Sequence, residues 1–90
     1  MKRKTPIFTR LPVVSVRPQD MASVNLWRAF LDEMLFGTFG ARPDEECNAW
    51  LYERGDWEPD LEMVADLAAL KPEWIRMVRD KLENGEMPQL

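Results

Sequence analysis

Three proline–acid steps constrain this chain more than any other feature: Pro43-Asp44, Pro59-Asp60 and Pro72-Glu73. Proline cannot sit inside a helix, because its ring clashes with the preceding turn and it lacks an N–H. It is well tolerated at the first helical position, where that N–H would be unpaired anyway. An acid just after it meets the positive end of the helix dipole. The three steps therefore predict three helices, opening at Pro43, Pro59 and Pro72.

Apolar spacing agrees. After Pro43, Cys47, Trp50 and Leu51 form a short inward face that ends before Gly55. After Pro59, the face is Leu61, Val64, Ala65 and Ala68. After Pro72 it is Ile75, Val78 and Leu82, with Trp74 beside it and Gly85 and Pro88 closing the element. A further helix is predicted upstream, from Ser23 as N-cap to Phe36. There Trp27, Phe30, Leu31, Met34 and Leu35 recur at helical spacing, and Arg28, Asp32 and Glu33 lie off the stripe. Gly37 and Gly40 are expected to let the chain leave that helix through a left-handed residue.

Residues 1–20 differ. Pro6, Pro12 and Pro18 recur with no helical period between them, which predicts an extended arm. The run from Leu11 to Val16 could form a short edge strand. The expected architecture is an all-α, four-helix domain over residues 21–90, preceded by an extended basic arm over residues 1–20.

Ninety residues can bury one modest core, and four tryptophans and four phenylalanines supply ample apolar area for it. Charge divides at the same place as structure. Residues 1–20 hold five basic side chains (Lys2, Arg3, Lys4, Arg10 and Arg17) against Asp20 alone, a balance of +4. Residues 21–90 hold seven basic and fifteen acidic side chains, a balance of −8. A basic arm on an acidic body says more than the net −4.

The absence of histidine excludes a histidine-based triad and a His/Cys zinc site, and a single cysteine, Cys47, excludes an internal disulfide. The start Met1-Lys2-Arg3-Lys4 has the charge of a signal-peptide n-region, but Arg10, Pro12 and Arg17 break any apolar stretch after it. No window is long and apolar enough to span a bilayer. A cytoplasmic setting, no cofactor, no metal and no enzymatic activity are the expectations.

The segment Leu61–Leu82 carries the sharpest functional prediction. A helix-turn-helix needs a small residue within its first helix, a small residue at the turn and apolar residues along the inner face of the second helix. Ala65, Ala69 and the set Leu70, Ile75 and Val78 meet those needs in spacing. Alanine at position 69 replaces the usual glycine and is penalised wherever φ is positive. A plain antiparallel helix pair is the simpler alternative. The groove-facing positions would be Lys71, Glu73, Arg76, Met77 and Asp80, with Arg79 beside them. Two acids there oppose phosphate binding, which supplies most non-specific DNA affinity. The arm residues Lys2, Arg3, Lys4, Arg10 and Arg17 could compensate in a minor groove, or could bind the acidic body of a neighbouring subunit.

The pattern from Leu26 to Leu82, with Ala49-Trp50-Leu51, Asp60 to Ala68 and Pro72 to Arg76, resembles a class of short proteins encoded by phages and prophages. The likeness covers roughly two thirds of the chain. It implies a small helix-turn-helix-like regulatory protein without enzymatic activity. The chain departs from the pattern at Ala69, where that class has glycine, and in its long basic arm.

Other clusters have simpler accounts. Asp44, Glu45 and Glu46 diverge around a helix and read as dipole-favoured surface charge. Asp56, Glu58 and Asp60 could hold a weak cation, but capping suffices. Cys47 reads as a small buried hydrophobe, and the tryptophans as core rather than a stacking platform for bases; Trp57 and Trp74 are interface candidates. The residues singled out for nucleic-acid or partner binding are Lys2, Arg3, Lys4, Arg10, Arg17, Lys71, Arg76 and Arg79. The leading expectation is a regulator that binds DNA or the transcription machinery. An acidic inhibitor or adaptor docking on a host protein is the first alternative, and an assembly protein the second. A homodimer is compatible with all three.

Overall fold

A computed structural model describes residues 7–11 and 17–86. They form four α-helices and, among the described residues, no strand: α1 (Met21–Phe39), α2 (Glu45–Leu51), α3 (Leu61–Leu67) and α4 (Pro72–Glu83). The predicted all-α domain is what forms. Short 3-10 turns at Phe8–Arg10 and Pro18–Asp20 precede α1. The possible strand from Leu11 to Val16 lies outside the described residues apart from Leu11, as do Lys2, Arg3 and Lys4.

The prolines mark the helix starts, but in two of three cases the following acid caps the helix. Asp44 is the N-cap of α2, its carboxylate accepting from the N–H groups of Glu46 (2.8 Å) and Cys47 (3.1 Å). Asp60 does the same for α3 through the N–H of Met63 (2.9 Å). Pro43 and Pro59 thus stand one residue outside their helices. An aspartate whose side chain reaches a free N–H two or three residues ahead holds its own backbone extended, and that outweighs the tolerance of proline at the first position. Only Pro72 is the first residue of its helix, with Lys71 as an N-cap that makes no side-chain bond.

The C-termini share one device. In α2, α3 and α4 the residue after the C-cap takes a positive φ: Glu53 (60°), Ala69 (56°) and Gly85 (77°). Each closes the paired bonds of a Schellman motif. In α3 these are Ala69 N–H to the Asp66 carbonyl and Leu70 N–H to the Ala65 carbonyl. Glycine serves this position without strain in α4, whereas Glu53 and Ala69 hold a conformation disfavoured for side-chain-bearing residues. Ala69→Gly is expected to stabilise the domain by about 1 kcal/mol, raising the melting midpoint by several degrees. An unchanged or lower midpoint in thermal unfolding would contradict that expectation.

Helix α1 is longer than predicted and lies in the middle of the domain. It packs against each of the other three helices and both 3-10 turns. Gly37 does not end it. The helix continues to Phe39, and at Gly37 any Cβ would collide with the side chain of Cys47 on α2, so the glycine permits close helix approach. Gly40 caps it at φ −79°, outside the left-handed region, and its lack of a side chain matters for another reason: a Cβ there would collide with the Phe36 carbonyl oxygen that accepts from the Gly40 N–H.

The phase of α1 also differs from the prediction. Its most buried positions are Val24, Arg28, Leu31, Asp32, Leu35 and Thr38, while Trp27, Phe30 and Met34 flank them half-buried. The core joins Phe8, Leu31 and Leu35 with Trp50 and Leu51 of α2, Leu61, Val64, Ala65 and Ala68 of the α3 segment, and Ile75 and Val78 of α4. The rings of Phe30 and Trp50 meet edge to face at 5.1 Å, so the flank of α1 is what seats α2.

Residues 7–11 correct the picture of an arm that stays extended to residue 20. Phe8 is fully buried in the core. The backbone N–H groups of Ile7, Phe8 and Thr9 and the Thr9 hydroxyl all donate to the Asp32 carboxylate, at 2.8–3.1 Å. One turn earlier, Arg28 donates to the carbonyls of Leu11 (2.7 Å), Ala68 (2.9 Å) and Ala69 (3.5 Å). Burial draws the Arg28 guanidinium below its ordinary pKa. Every buried side-chain nitrogen and oxygen among the described residues has a hydrogen-bond partner.

Candidate functional site

Helix α4 and its connection to α3 hold the predicted contact residues Lys71, Arg76 and Arg79. The inward positions fall as the spacing predicted: Ala65, Ile75 and Val78 are buried and Leu70 packs half-buried on the core. The arginines are the departure. Arg76 makes a two-pronged pair with Glu53, its Nε at 3.0 Å and Nη2 at 2.6 Å, and a second contact with Glu62 at 3.5 Å. Arg79 donates to Asp80 at 3.0 Å and to the Leu51 carbonyl at 3.3 Å, lies 3.5 Å from Glu53, and sits 4.9 Å from the Tyr52 ring centre.

The electrostatics follow. The hydrogen bond from Arg76 holds the Glu53 carboxyl below its ordinary pKa against the opposing effect of burial. Glu53 in turn, ahead of a smaller contribution from Glu62, raises the Arg76 guanidinium. The Glu53 tie therefore contributes stability above the ordinary carboxylate range and loses it as pH falls through the lowered value. These charges join α2 to α4 and compensate one another, so neither arginine presents an uncompensated positive charge to a phosphate.

What α4 turns outward is different. Trp74 is 46 % exposed, Met77 is also exposed, and Glu73 and Asp80 stand exposed on the same helix. The outward positions of α3 repeat the mixture with Met63 and Leu67 beside Glu62 and Asp66. The remaining predicted cations are scattered. Arg10 and Lys71 are exposed, and Arg17 pairs with its neighbour Asp20 at 3.1 Å on the surface. An exposed pair of this kind contributes little.

Sequence periodicity missed two features. One is the pairing of Glu53 with Arg76 and Arg79, which spans the whole of α3. The other is the loop from Tyr52 to Asp60, in which Trp57 stands 37 % exposed with its indole N–H bonded to the Arg54 carbonyl at 2.6 Å. The sequence had marked Trp57 as an interface candidate and Asp56, Glu58 and Asp60 as an acid cluster, but carried no periodicity from which the path of the loop could be read.

Cys47 is half-buried, and its thiol is pushed above its ordinary pKa by burial first and then by Asp44, Glu46 and Glu33. The reactive thiolate is therefore scarce until higher pH. Alkylation by iodoacetamide at pH 8 should run several-fold slower than for free cysteine and accelerate at higher pH. A rate equal to free cysteine would contradict this assignment. Among the described residues no group of His, Cys, Asp and Glu is arranged to hold a metal ion, and no helix is long and apolar enough to cross a membrane.

Comparison with known protein families, with characterised proteins and with solved structures finds no match to this chain.

Proposed function

We propose that this chain is a non-enzymatic binding module of the inhibitor or adaptor class, which docks on a basic protein surface through the outward sides of α3 and α4. The carrying observation is the state of α4: Arg76 and Arg79 are engaged by Glu53, Glu62 and Asp80, while Trp74 and Met77 are exposed among acids. Tryptophan is the side chain most enriched at energetic centres of protein interfaces, and methionine adapts to irregular partner surfaces. A −8 balance over residues 21–90 favours a positively charged partner and opposes a duplex.

The phage-type resemblance, a bacterial cytoplasm and a host protein as partner all fit this reading and are part of the proposal. Of the predicted contact residues, a DNA- or polymerase-directed regulator would be left with Arg10, Arg17, Lys71 and the outermost residues Lys2, Arg3 and Lys4, with α4 contributing little.

Titration of a labelled mixed-sequence duplex at low salt tests the choice. No association is expected. Affinity that falls steeply with salt, and that disappears in the Arg76→Ala/Arg79→Ala double variant, would overturn the proposal in favour of a DNA reader. A photo-crosslinking residue in place of Met77 is expected to capture protein in cells, and Trp74→Glu in the same chain should suppress the adduct.

A further inference from the structure

The Tyr52–Asp60 loop folds back between the end of α2 and the start of α3 and leaves an open cleft of about 310 Å³. Trp50 and Trp57 line it together with the acidic residues Glu53, Asp56 and Asp60. That volume is at the bottom of the range for small-molecule sites, so it suits one side chain better than a cofactor.

The walls define the chemistry of that side chain. Glu53 is occupied by Arg76 and Arg79. Asp60 uses one oxygen, Oδ1, to cap α3. Asp56 is exposed and, among the described residues, pairs with no cation. The cleft therefore holds more negative charge than the chain itself compensates. The nearest cation in sequence, Arg54, lies instead over the Tyr52 ring at 5.8 Å.

Trp57 supplies an independent observation. A large exposed aromatic in a loop would ordinarily be free to turn, but this indole is anchored by its N–H to the Arg54 carbonyl. Gly55 takes a φ of 94° beneath it, placing its Cα side against the indole nitrogen. A fixed aromatic ring beside uncompensated carboxylates is the recognition chemistry of an organic cation. Guanidinium fits best of these, because it is planar, stacks on aromatic faces and pairs with a carboxylate through two parallel bonds.

We propose that this cleft receives the guanidinium of an arginine presented on the partner protein, with Trp57 stacking on it and Asp56 pairing with its charge. The proposal rests on the protein-docking reading and names one point of that contact.

The test is a titration of the ¹⁵N-labelled full chain with a capped Gly-Arg-Gly peptide and its neutral citrulline counterpart. Saturable shifts are expected at the Trp57 indole N–H and at the amides of Gly55 and Asp56 with the arginine peptide, and none with citrulline. Asp56→Asn should weaken binding about fivefold, the upper end for an exposed ion pair, and Trp57→Ala about tenfold, the strength of a cation–π contact at a partly desolvated site. Asp56 is exposed, so its variant keeps the test valid if Trp57→Ala impairs folding. Equal binding of arginine and citrulline peptides, equal binding of a lysine peptide, or undiminished affinity in Asp56→Asn would each overturn the proposal. Shifts confined to Trp74 and Met77 would overturn the cleft while leaving the docking face in place, whereas salt-sensitive duplex binding would overturn the docking reading itself.

Discussion

Asp32→Ala should unfold the domain at far lower urea than the parent chain, with a loss on the order of 3–5 kcal/mol. Asp32 is 3 % exposed, and its carboxylate accepts from three successive backbone N–H groups and one hydroxyl of residues 7–9. Alanine removes all four acceptor contacts at once. Of the donors left behind, the Phe8 N–H lies in the interior, where an unpaired group costs about 1–3 kcal/mol by itself. Phe8 then loses the anchor that keeps its ring in the core. A domain of this size has a total stability of only about 5–15 kcal/mol, so the loss is a large fraction of the whole. Asp32→Asn keeps one carbonyl oxygen and should fall between the two. A urea midpoint within error of the parent for Asp32→Ala would refute the clamp.

The second large effect is expected at Arg28. Arg28→Met keeps most of the apolar stem and removes the guanidinium that joins Leu11 to the end of α3 at Ala68 and Ala69. The expected loss is about 3 kcal/mol, read from the same urea curves. Arg28→Lys should recover only part of it, because an ammonium lacks the planar fork that serves divergent carbonyls together. Full recovery by lysine would show that charge alone matters there. Both side chains hold the N-terminal segment to α1, so the Asp32→Ala/Arg28→Met double variant should lose less than the two single losses combined.

These two positions also mark the boundary of what the sequence disclosed. Arg28 and Asp32 lie off the apolar stripe of Trp27, Phe30, Leu31, Met34 and Leu35, and by periodicity they belong to a solvated face. They are buried because their partners are backbone groups of Leu11, Ala68 and Ala69 and of residues 7–9, distant in sequence and carrying no residue-type signal. The candidate site suffered in the same way. Arg76 and Arg79 were visible as cations on the last helix, but Glu53, the acid that engages both, comes from the left-handed end of α2, far back along the chain.

Local chemistry alone determined the helical class, the placement of breaks near Pro43, Pro59 and Pro72, and the inward residues Ala65, Ile75 and Val78, since those depend on proline geometry, aspartate capping and a 3.6-residue period acting within a few residues. Tertiary structure decided the rotation of α1, the burial of Phe8 and the pairing state of the α4 arginines. Each of those depends on which distant groups meet, and the free energy of a buried polar side chain is set by the partner it finds there.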